Sequence, residues 1–439
     1  MFENIIGNKN VIASLKEDIH SKHLPPSILL SGGENAGKLT TALEIARILN
    51  CRSEAKWNCE CSACAESRNL SLPDLLIIGE KNCTLEIKAT AQVLLRTKSR
   101  ASYYLFLRAI KKLAIRFNSS LWQTSDTSFA KATSILPDIE ESLTELRAKD
   151  SEIEEKLKSL QDKKLESIVS SLEKKCDKLQ DECMYETIPV SVVREAIGWL
   201  HLKPNEKTKI LIVENAEKMQ ESARNAFLKV LEEPPQYAHF ILTTQNKNAI
   251  MQTILSRVRP YNFAKRSKDE QNEVLKRVFK EDGSNDEINY RHFSLLQSFF
   301  YKYLPVSYET IKQTAQLFLY AIFSNRKHTL HLFNSLQKTL EEAMNSIEDH
   351  TKNDLTLISS IITDLNKFKP GIVYTLFLRS MLDILHSSIA KGNVENVELE
   401  AYKKASQSIQ NAREQVEIYN MGTQGVLQQL MEELKEHFV

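Results

Sequence analysis

Residues 28–38 read Ile-Leu-Leu-Ser-Gly-Gly-Glu-Asn-Ala-Gly-Lys, and this stretch decides the fold. Its first four residues form a short apolar run that predicts a buried β-strand. The residues from Gly32 to Lys38 match a phosphate loop, in which glycines let backbone N–H groups wrap phosphates and the lysine adds a positive charge. A helical pattern follows from Lys38 to Asn50, so a helix N-terminus points at the loop. Strand, loop and helix together predict a P-loop nucleotide site in an α/β domain.

Three further apolar runs predict strands of the same sheet, namely Leu75–Gly79, Lys209–Val213 and Ala238–Thr243. Their near-continuous apolar composition is typical of strands that are buried on both faces of a parallel sheet. Between the last two runs, Met219–Glu233 has helical spacing and ends at two prolines. The alternation of strands and helices predicts an α/β core within residues 1–265.

The chain of 439 residues is too long for one compact core, so we expect two to four domains. Its net charge of +1 indicates no class of partner by itself. The start, Met1–Asn4, lacks the basic residues and apolar run of a signal peptide. The most lipophilic stretch, Gly371–Ala390, contains Arg379 and Asp383, which a membrane span would have to bury at high cost. We therefore expect a cytoplasmic protein without a membrane partner, in which Gly371–Ala390 is a core helix.

Two positions of the nucleotide site depart from those of an ATPase. Leu39 follows Lys38 where a Ser or Thr hydroxyl would coordinate Mg²⁺, and Thr40 is turned away by about 100° around the helix. After the third strand, Glu214 can approach a metal, but Asn215 cannot accept a proton as a carboxylate does. We expect a poor hydrolase, and the sequence leaves open whether ATP and Mg²⁺ still bind. The candidate cofactor-binding residues are Gly32, Gly37, Lys38 and Glu214.

Four of the seven cysteines lie close together, at Cys51, Cys59, Cys61 and Cys64. Such clustering indicates a metal site in a reducing cytoplasm rather than a disulfide framework. Four thiolates complete a tetrahedral Zn²⁺ site, and a site without an open position is structural. We predict a zinc module at residues 51–64; the alternative is that one of the cysteines is free.

Residues 84–186 interrupt the α/β pattern. From Lys88 to Arg116 there are eight Lys or Arg and no Asp or Glu, whereas residues 138–182 contain 14 acidic and nine basic residues. The basic part can be interpreted as a nucleic-acid surface with interleaved aromatic residues. Alternatively, it packs on the acidic part and neutralises it. The basic and aromatic residues in question are Arg96, Lys98, Arg100, Tyr103, Tyr104, Phe106, Arg108, Lys111, Lys112 and Arg116.

The same segment contains two series of apolar residues at heptad spacing. They predict an antiparallel helical hairpin inserted into the domain, or a coiled-coil face that recruits a partner helix. After Phe263 helical patterns continue, from which we expect a helical lid at 266–304 and a larger helical domain at 305–439. The two series are Leu146, Ile153 and Leu160, then Leu165, Val169, Leu172, Cys176 and Leu179.

Several stretches occur here in an order that is found in one protein family. They are Phe2-x-x-Ile5-Ile6-Gly7-Asn8, the phosphate loop, the cysteine cluster, the Asn225–Pro235 stretch Asn-Ala-Phe-Leu-Lys-Val-Leu-Glu-Glu-Pro-Pro, and Ile254-Leu255-Ser256-Arg257. The chain resembles the bacterial clamp-loader subunits of DNA polymerase III, AAA+ proteins that include the gamma/tau motor and its relative delta-prime. The resemblance covers about residues 1–80 and 186–265 and does not cover 84–186.

The resemblance implies an α/β AAA+ P-loop core with a zinc module, followed by an all-α lid and a helical collar that packs into a five-subunit ring. Motor subunits have Ser or Thr after the loop lysine and Asp-Glu after the acidic strand. The departures at Leu39 and Asn215 therefore favour delta-prime, a subunit without appreciable ATPase activity of its own. The resemblance also implies that Arg257 is an arginine finger that acts in trans on a neighbour's ATP. The alternative for Arg257 is a surface arginine in a loop.

The implied partners are the gamma/tau and delta subunits, the sliding clamp and primed DNA, in a hetero-oligomeric ring. The implied cofactor is structural zinc. Two other functions remain open at this stage. The first is a gamma/tau-type ATPase motor in which Glu214 binds Mg²⁺, and the second is a non-catalytic coiled-coil adaptor on an AAA+ shell.

Overall fold

The computed structural model describes residues 1–80, 83–149, 151–281, 293–323, 340, 361–363, 365, 371–391, 396–417, 419 and 421–437. The chain divides into two compact units, Met1–Tyr303 and Leu304–Val439. The first unit contains the sheet, the phosphate loop and the cysteine cluster. The second unit is helical in its described residues.

A five-stranded parallel sheet forms the centre of the first unit, with the strand order β2-β3-β4-β1-β5. The phosphate loop follows β1 and the acidic residues follow β3, so both lie at the carboxyl edge, where open α/β sheets bind ligands. The strands are β1 Ser27–Gly32, β2 Leu75–Ile78, β3 Lys209–Val213, β4 Ala238–Thr244 and β5 Arg259–Phe263.

The edge strand β5 escaped the sequence analysis. It pairs with β1, with Pro260 opposite Leu29. Only Tyr261 and Phe263 of this strand are buried, and three of its five residues are exposed. An edge strand tolerates proline and exposed polar residues because one side of its backbone has no strand to pair with. The apolar run that revealed the other strands is therefore missing.

Helices cover both faces of the sheet. On one face, Leu29, Leu76 and Leu211 belong to a hydrophobic core that they share with the helices of residues 84–200, whereas Leu30 and Ile77 belong to a second core on the other face. The helices of the first unit are α1 Lys9–His20, α2 Lys38–Asn50, α3 Ser62–Arg68, α4 Thr84–Thr97, α5 Arg100–Ala114, α6 Thr127–Leu146, α7 Ile153–Ser159, α8 Asp162–Cys183, α9 Val190–Leu200, α10 Glu221–Glu232, α11 Gln252–Leu255, α12 Lys268–Val274 and α13 Leu295–Tyr301; α12 continues as a π-helical turn over Leu275–Phe279.

Helices α4–α8 form a packed layer and not a separate hairpin. Helix α8 packs against both α6 and α4. The first heptad series does not follow one helix, because Leu146 ends α6, Ile153 begins α7 and Leu160 lies beyond it. The second series lies on α8, and all five of its side chains are buried in the core shared with the sheet. These side chains are therefore not available to a partner helix.

The segment that we expected to be a lid packs on α4. Phe279 and Phe299 share a small hydrophobic cluster with Ala89 and Val93 of α4 and with Ile6. Helix α12 begins with a capping box between Ser267 and Glu270, and α13 with one between Ser294 and Gln297. This cluster connects the segment that contains Phe279 and Phe299 to both the N-terminal segment and the helical layer.

The second unit contains α14 Tyr308–Phe323, α15 Ile372–Lys391, α16 Asn396–Glu417 and α17 Thr423–His437. Helix α15 is, within the described residues, the one helix long and apolar enough to cross a membrane. Its Phe377 is buried against Phe318 of α14, with ring centroids 5.5 Å apart, and Met381 and Leu385 are buried as well. This packing is that of a core helix.

Candidate functional site

The phosphate loop holds its own lysine. Lys38 begins α2 and is 8% exposed, and its Nζ donates to the carbonyl oxygens of Gly32 and Gly33, at 2.6 Å each. Burial lowers the pKa of Lys38 to about 8, against the opposing attraction of the carboxylates of Glu217 and Glu214. A phosphate bound in the loop would have to compete with these carbonyl contacts for the ammonium group.

The first turn of α2 offers no hydroxyl at the position that coordinates Mg²⁺ in ATPases. Leu39 stands there and packs against the core beneath the sheet. Thr40 is exposed on another side of the helix. The buried Thr41 uses its hydroxyl to donate to the carbonyl of Gly37 at 2.9 Å. The departure seen at Leu39 in the sequence is therefore not compensated by a neighbouring threonine.

Three side chains from distant parts of the sequence hold the loop in place. Asn8 accepts from the backbone N–H of Ala264 at 2.7 Å and donates to Ala36 of the loop at 3.3 Å. The guanidinium of Arg266 donates to the carbonyl of Asn35 and, at 3.1 Å, to that of Ile6. Gln297 of α13 donates to Glu34 at 2.7 Å.

Arg266 and Gln297 were not predicted as site residues. Arg266 lies just beyond β5 at the carboxyl edge of the sheet, so recognition of that edge strand would have indicated it. No comparable sequence signal marks Gln297.

The acidic residues after β3 are occupied by other side chains. Arg116 Nη2 lies 2.5 Å from Glu214 Oε2. The Asn215 amide donates to Glu80 Oε1 at 2.8 Å. Burial raises the pKa of Glu80 to about 7, although Lys218 and the Asn215 amide favour its ionised form. Arg116 and Glu80 are site residues that the sequence analysis missed, because Arg116 was assigned to a basic surface.

These residues do not fit the Mg²⁺ ion that the fold family implies for a nucleotide site. Proteins usually bind Mg²⁺ through one or two carboxylates together with waters and the phosphates of the substrate. Glu214 is already paired with the guanidinium of Arg116, Asn215 is turned towards Glu80, and Leu39 has no oxygen on its side chain.

Arg257 lies at the end of α11, next to the Leu-Glu-Glu-Pro-Pro stretch. Its Nη2 is 2.5 Å from Glu232 Oε1, and its Nη1 donates to the carbonyl of Thr253 at 2.7 Å. The side chain is 32% exposed. Its guanidinium is thus accessible, and it is held by one carboxylate that is itself exposed.

The four predicted metal ligands lie together. The Sγ atoms of Cys51, Cys59, Cys61 and Cys64 are all within 4.8 Å of one another, with Cys51 Sγ 3.6 Å from Cys59 Sγ and 3.9 Å from Cys61 Sγ. Sulfurs bound at about 2.3 Å around a tetrahedral Zn²⁺ are about 3.8 Å apart. The donor set and its spacing therefore fit a closed metal site.

A buried arginine connects the cysteine cluster to the phosphate-loop helix. Arg47 of α2 donates to Cys64 Sγ at 3.0 Å and makes two bonds to Glu44, at 2.7 and 2.9 Å. It also donates to the carbonyls of Ala55 and Lys56. No sequence signal marks Arg47 as part of the site, since an arginine in the last turn of a helix is common.

A family whose sequence model is described as DNA polymerase III, delta subunit matches residues 7–116 and 131–267, which together make up more than half of the chain. The chain belongs to this family. The clamp-loader resemblance that we drew from the motifs is thereby confirmed, as is an AAA+ type of α/β core.

Two relatives of this clamp-loader family member carry the gamma name. DNA polymerase III subunit gamma of Buchnera aphidicola subsp. Schizaphis graminum is 31% identical over 97 residues, which are 22% of this chain and 27% of that protein. The chain thus matches only about a quarter of that relative's length. A crystal structure of a DNA polymerase III gamma subunit-related protein from Thermotoga maritima is 19% identical, with 58% of this chain and 81% of that chain covered and a TM-score of 0.26.

The family match corrects one boundary. We expected the resemblance to stop before residue 84, but the family model covers 84–116 and 131–186 as well. The range that the family model matches therefore includes most of the helical layer. Its charge runs and heptad spacing resemble those of a separate module because a helix that packs on a sheet needs the same apolar stripe as one that packs on a partner.

The basic run of this family member is not a free nucleic-acid surface. It forms two helices, and its cations pair with acids from several elements. The aromatic side chains of Tyr103 and Phe106 are buried in the core. The burial of these rings and the ion pairs of these cations favour the neutralising alternative over the nucleic-acid interpretation, although only part of the acid comes from residues 138–182. The pairs are Lys88–Asp177, Arg96–Glu281, Lys98–Asp162, Lys112–Glu86 and Arg116–Glu214.

Proposed function

We propose that this chain is a delta-prime-like stator subunit of the bacterial DNA polymerase III clamp loader. It supports ATP-driven loading of the sliding clamp on primed DNA, and it does not hydrolyse ATP itself. The observation that carries the proposal is the side chain of Asn215. It occupies the position where a hydrolase needs a general base, and its amide donates to Glu80 at 2.8 Å instead of receiving a proton from water.

The other half of the nucleotide site supports the same proposal. Leu39 supplies no hydroxyl for Mg²⁺, and the ammonium of Lys38 is bonded to the loop's own carbonyls. Hydrolysis by P-loop proteins depends on both a metal ion and a positioned water. Each requirement is weakened by a different residue, so a single reversion would not restore turnover.

Arg257 is the residue through which the stator would act. Its guanidinium is accessible and contacts the exposed carboxylate of Glu232, the backbone carbonyl of Thr253 and the hydroxyl of Ser256. An arginine finger stabilises the charge on a phosphoryl group during its transfer, and here the phosphoryl group would belong to the ATP of a neighbouring subunit. Glu232 would keep the side chain extended until that neighbour docks.

The partners in this proposal are the gamma/tau and delta subunits, the sliding clamp and primed DNA, within a hetero-oligomeric ring in the cytoplasm. The four-cysteine module would hold structural zinc. The described helices of residues 305–439 would form the collar of the ring, and residues 266–304 the lid.

The second candidate is a gamma/tau-type motor, which the similarity to gamma proteins favours. It would require Glu214 to bind Mg²⁺, and the contact with Arg116 argues against that. A coiled-coil adaptor is the third candidate. It loses support because the heptad side chains of α8 are buried in the core of the chain.

The test measures ATP hydrolysis by the purified chain, alone and mixed with gamma/tau and delta subunits, the sliding clamp and primed DNA. The chain alone should be silent and should raise the rate of the mixture. Arg257→Ala should abolish this rise, since a finger contributes roughly 10³-fold or more at its site. Arg259→Ala is the matched control, because Arg259 lies two residues further on and pairs with Asp18 at 2.9 Å.

Turnover by the chain alone that disappears on Lys38→Ala would refute the stator role and establish a motor. Failure to join the other subunits in a complex would instead favour the adaptor.

A further inference from the structure

One buried cation stands at the carboxyl edge of the sheet, next to the acidic residues. The side chain of Arg116 is 1% exposed, whereas the Glu214 side chain that it pairs with is 14% exposed. Besides its 2.5 Å contact with Glu214 Oε2, the guanidinium donates to the backbone carbonyl of Glu80. It therefore bridges the residues that follow β2 and β3.

Contacts of neighbouring residues fix the backbone of Arg116 in this position. Arg116 lies in a single 3₁₀ turn, Ile115–Phe117, that follows α5 directly. The indole N–H of Trp122 donates to the carbonyl of Arg116 at 2.8 Å, and the Trp122 ring stacks on Phe117 at 5.6 Å. A side chain with a fixed backbone and a buried guanidinium has few alternative positions.

The charges at this edge need such a cation. Glu80, Glu214 and Glu217 gather there; Lys38 and Lys218 are cations near them, and Arg224 donates to the backbone carbonyl of Glu217 at 2.8 Å. Taking a carboxylate out of water is costly unless a partner compensates its charge. In a P-loop ATPase, the acid at the end of the third strand meets a divalent metal. In this chain it meets Arg116.

We propose that Arg116 is a built-in cation that takes the place of the divalent metal at Glu214. The proposal rests on the proposed function for the reading of Glu214 as the counterpart of the metal-binding acid. In this proposal the helical layer has a role in the site, because α5 and the turn that follows it place the guanidinium of Arg116 at the edge of the sheet. The charges at the carboxyl edge of the sheet are thus compensated without ATP or Mg²⁺.

The test uses Mn²⁺ alone as the probe, with the intact chain and its cysteine site filled with zinc. Binding is measured by the loss of the electron paramagnetic resonance signal of free Mn²⁺. The wild-type chain should bind Mn²⁺ no better than Glu214→Gln does. Arg116→Gln should gain one site, about tenfold or more tighter than any in the wild type, which the double change Arg116→Gln and Glu214→Gln removes again.

Two further variants sharpen the result. Arg116→Lys keeps a cation and should exclude Mn²⁺ as the wild type does. Arg108→Gln removes another cation of α5, one that donates to the carbonyl of Arg68 at 3.2 Å, and should gain no site.

Two results would overturn the proposal: a wild-type Mn²⁺ site that Glu214→Gln abolishes, or a folded Arg116→Gln variant that gains no site. The first comparison needs no change at Arg116, so it decides the matter even if that variant does not fold. ATP turnover by a chain that still excludes Mn²⁺ from Glu214 would refute the stator role alone and leave the role of Arg116 intact.

Discussion

Replacement of Arg47 by methionine should destabilise the first unit strongly. Arg47 and Glu44 are both buried on α2, and all five N–H donors of the guanidinium have acceptors. Two of the bonds go to the Glu44 carboxylate, and one goes to Cys64 Sγ. Methionine fills a similar volume but leaves the carboxylate of Glu44 buried with only the backbone N–H of Phe2, at 3.1 Å, as a remaining donor.

The expected loss follows from that uncompensated charge. Removal of one partner from a buried ion pair costs about 3–5 kcal/mol, because the other charge stays out of water. The double change Arg47→Met and Glu44→Gln removes the stranded charge as well and should recover at least about 1 kcal/mol. Zinc retention should also fall in Arg47→Met, since Cys64 loses the donor that orients its sulfur.

The assay is urea unfolding followed by tryptophan fluorescence. The three tryptophans, Trp57, Trp122 and Trp199, all belong to the first unit, so the signal reports on that unit. Arg52→Met is the matched control, because the Arg52 side chain is 57% exposed, and an ion pair whose guanidinium is open to water contributes little. An Arg47→Met transition within about 1 kcal/mol of the wild type would refute this account of the buried pair.

Three further outcomes are expected. Burial raises the pKa of Glu80 to about 7, so the folded chain binds more protons than the unfolded chain between about pH 4.5 and 7, and stability falls as pH rises through that window. Glu80→Gln should therefore stabilise the chain at pH 8 in urea titrations, by an amount that vanishes towards pH 4.5; an equal gain at both pH values would contradict the assigned pKa. Gly32→Ala should cost more than about 2 kcal/mol, because Gly32 has a φ of +154° and an added Cβ would lie 2.5 Å from a backbone oxygen. Gly33→Ala, with nothing within 4 Å of its added Cβ, should stay within about 0.5 kcal/mol of the wild type when both variants are compared by urea unfolding, and equal losses would show that the close approach is unimportant. Cys61→Ser should lower the zinc bound per chain in a chelator assay, whereas Cys83→Ser, which is buried elsewhere, should leave it unchanged; full zinc occupancy in Cys61→Ser would remove that residue from the ligand set.

Local patterns in the sequence were sufficient to predict a strand or helix wherever the residues of that element alone show its characteristic pattern. The helix predicted at Lys38–Asn50 has those bounds in the structure, and the four apolar runs correspond to β1–β4 with shifts of at most one residue at their ends. Buried parallel strands are apolar throughout, and a glycine-rich loop before a helix is recognisable without any knowledge of what surrounds it. The edge strand β5 has neither signal and was missed.

The cysteine cluster could also be predicted, because its four residues are close in sequence. Ligands within 14 residues have few ways to lie far apart, so a short loop and one helical turn bring the sulfurs together. The departures at Leu39 and Asn215 were equally visible, since each occupies a fixed position in a motif.

The charge runs and heptad spacings led to expectations about residues 84–186 that the packing of this segment does not support. Such patterns describe one face of a helix, but they do not say which other element packs against that face. The eight cations between Lys88 and Arg116 are the same whether they meet DNA or carboxylates, and Arg116 meets a carboxylate 98 residues away. The heptad side chains of α8 are buried by the chain's own sheet and helices. A residue's own sequence neighbourhood contains no information on such distant partners.

The sequence by itself therefore determined the α/β class, the phosphate loop with its two missing catalytic groups, the four-cysteine module and the clamp-loader family. Only the tertiary structure decided that Arg116 faces Glu214, that Arg47 joins the cysteine cluster to the phosphate-loop helix, and that Arg266 holds the loop from beyond β5. The physical reason is that a motif is formed by residues that are close together in the sequence, so the residue types and their spacing are enough to recognise it. The neutralisation of a buried charge, by contrast, depends on which side chain the fold brings within hydrogen-bonding distance, and many positions in the sequence could supply it.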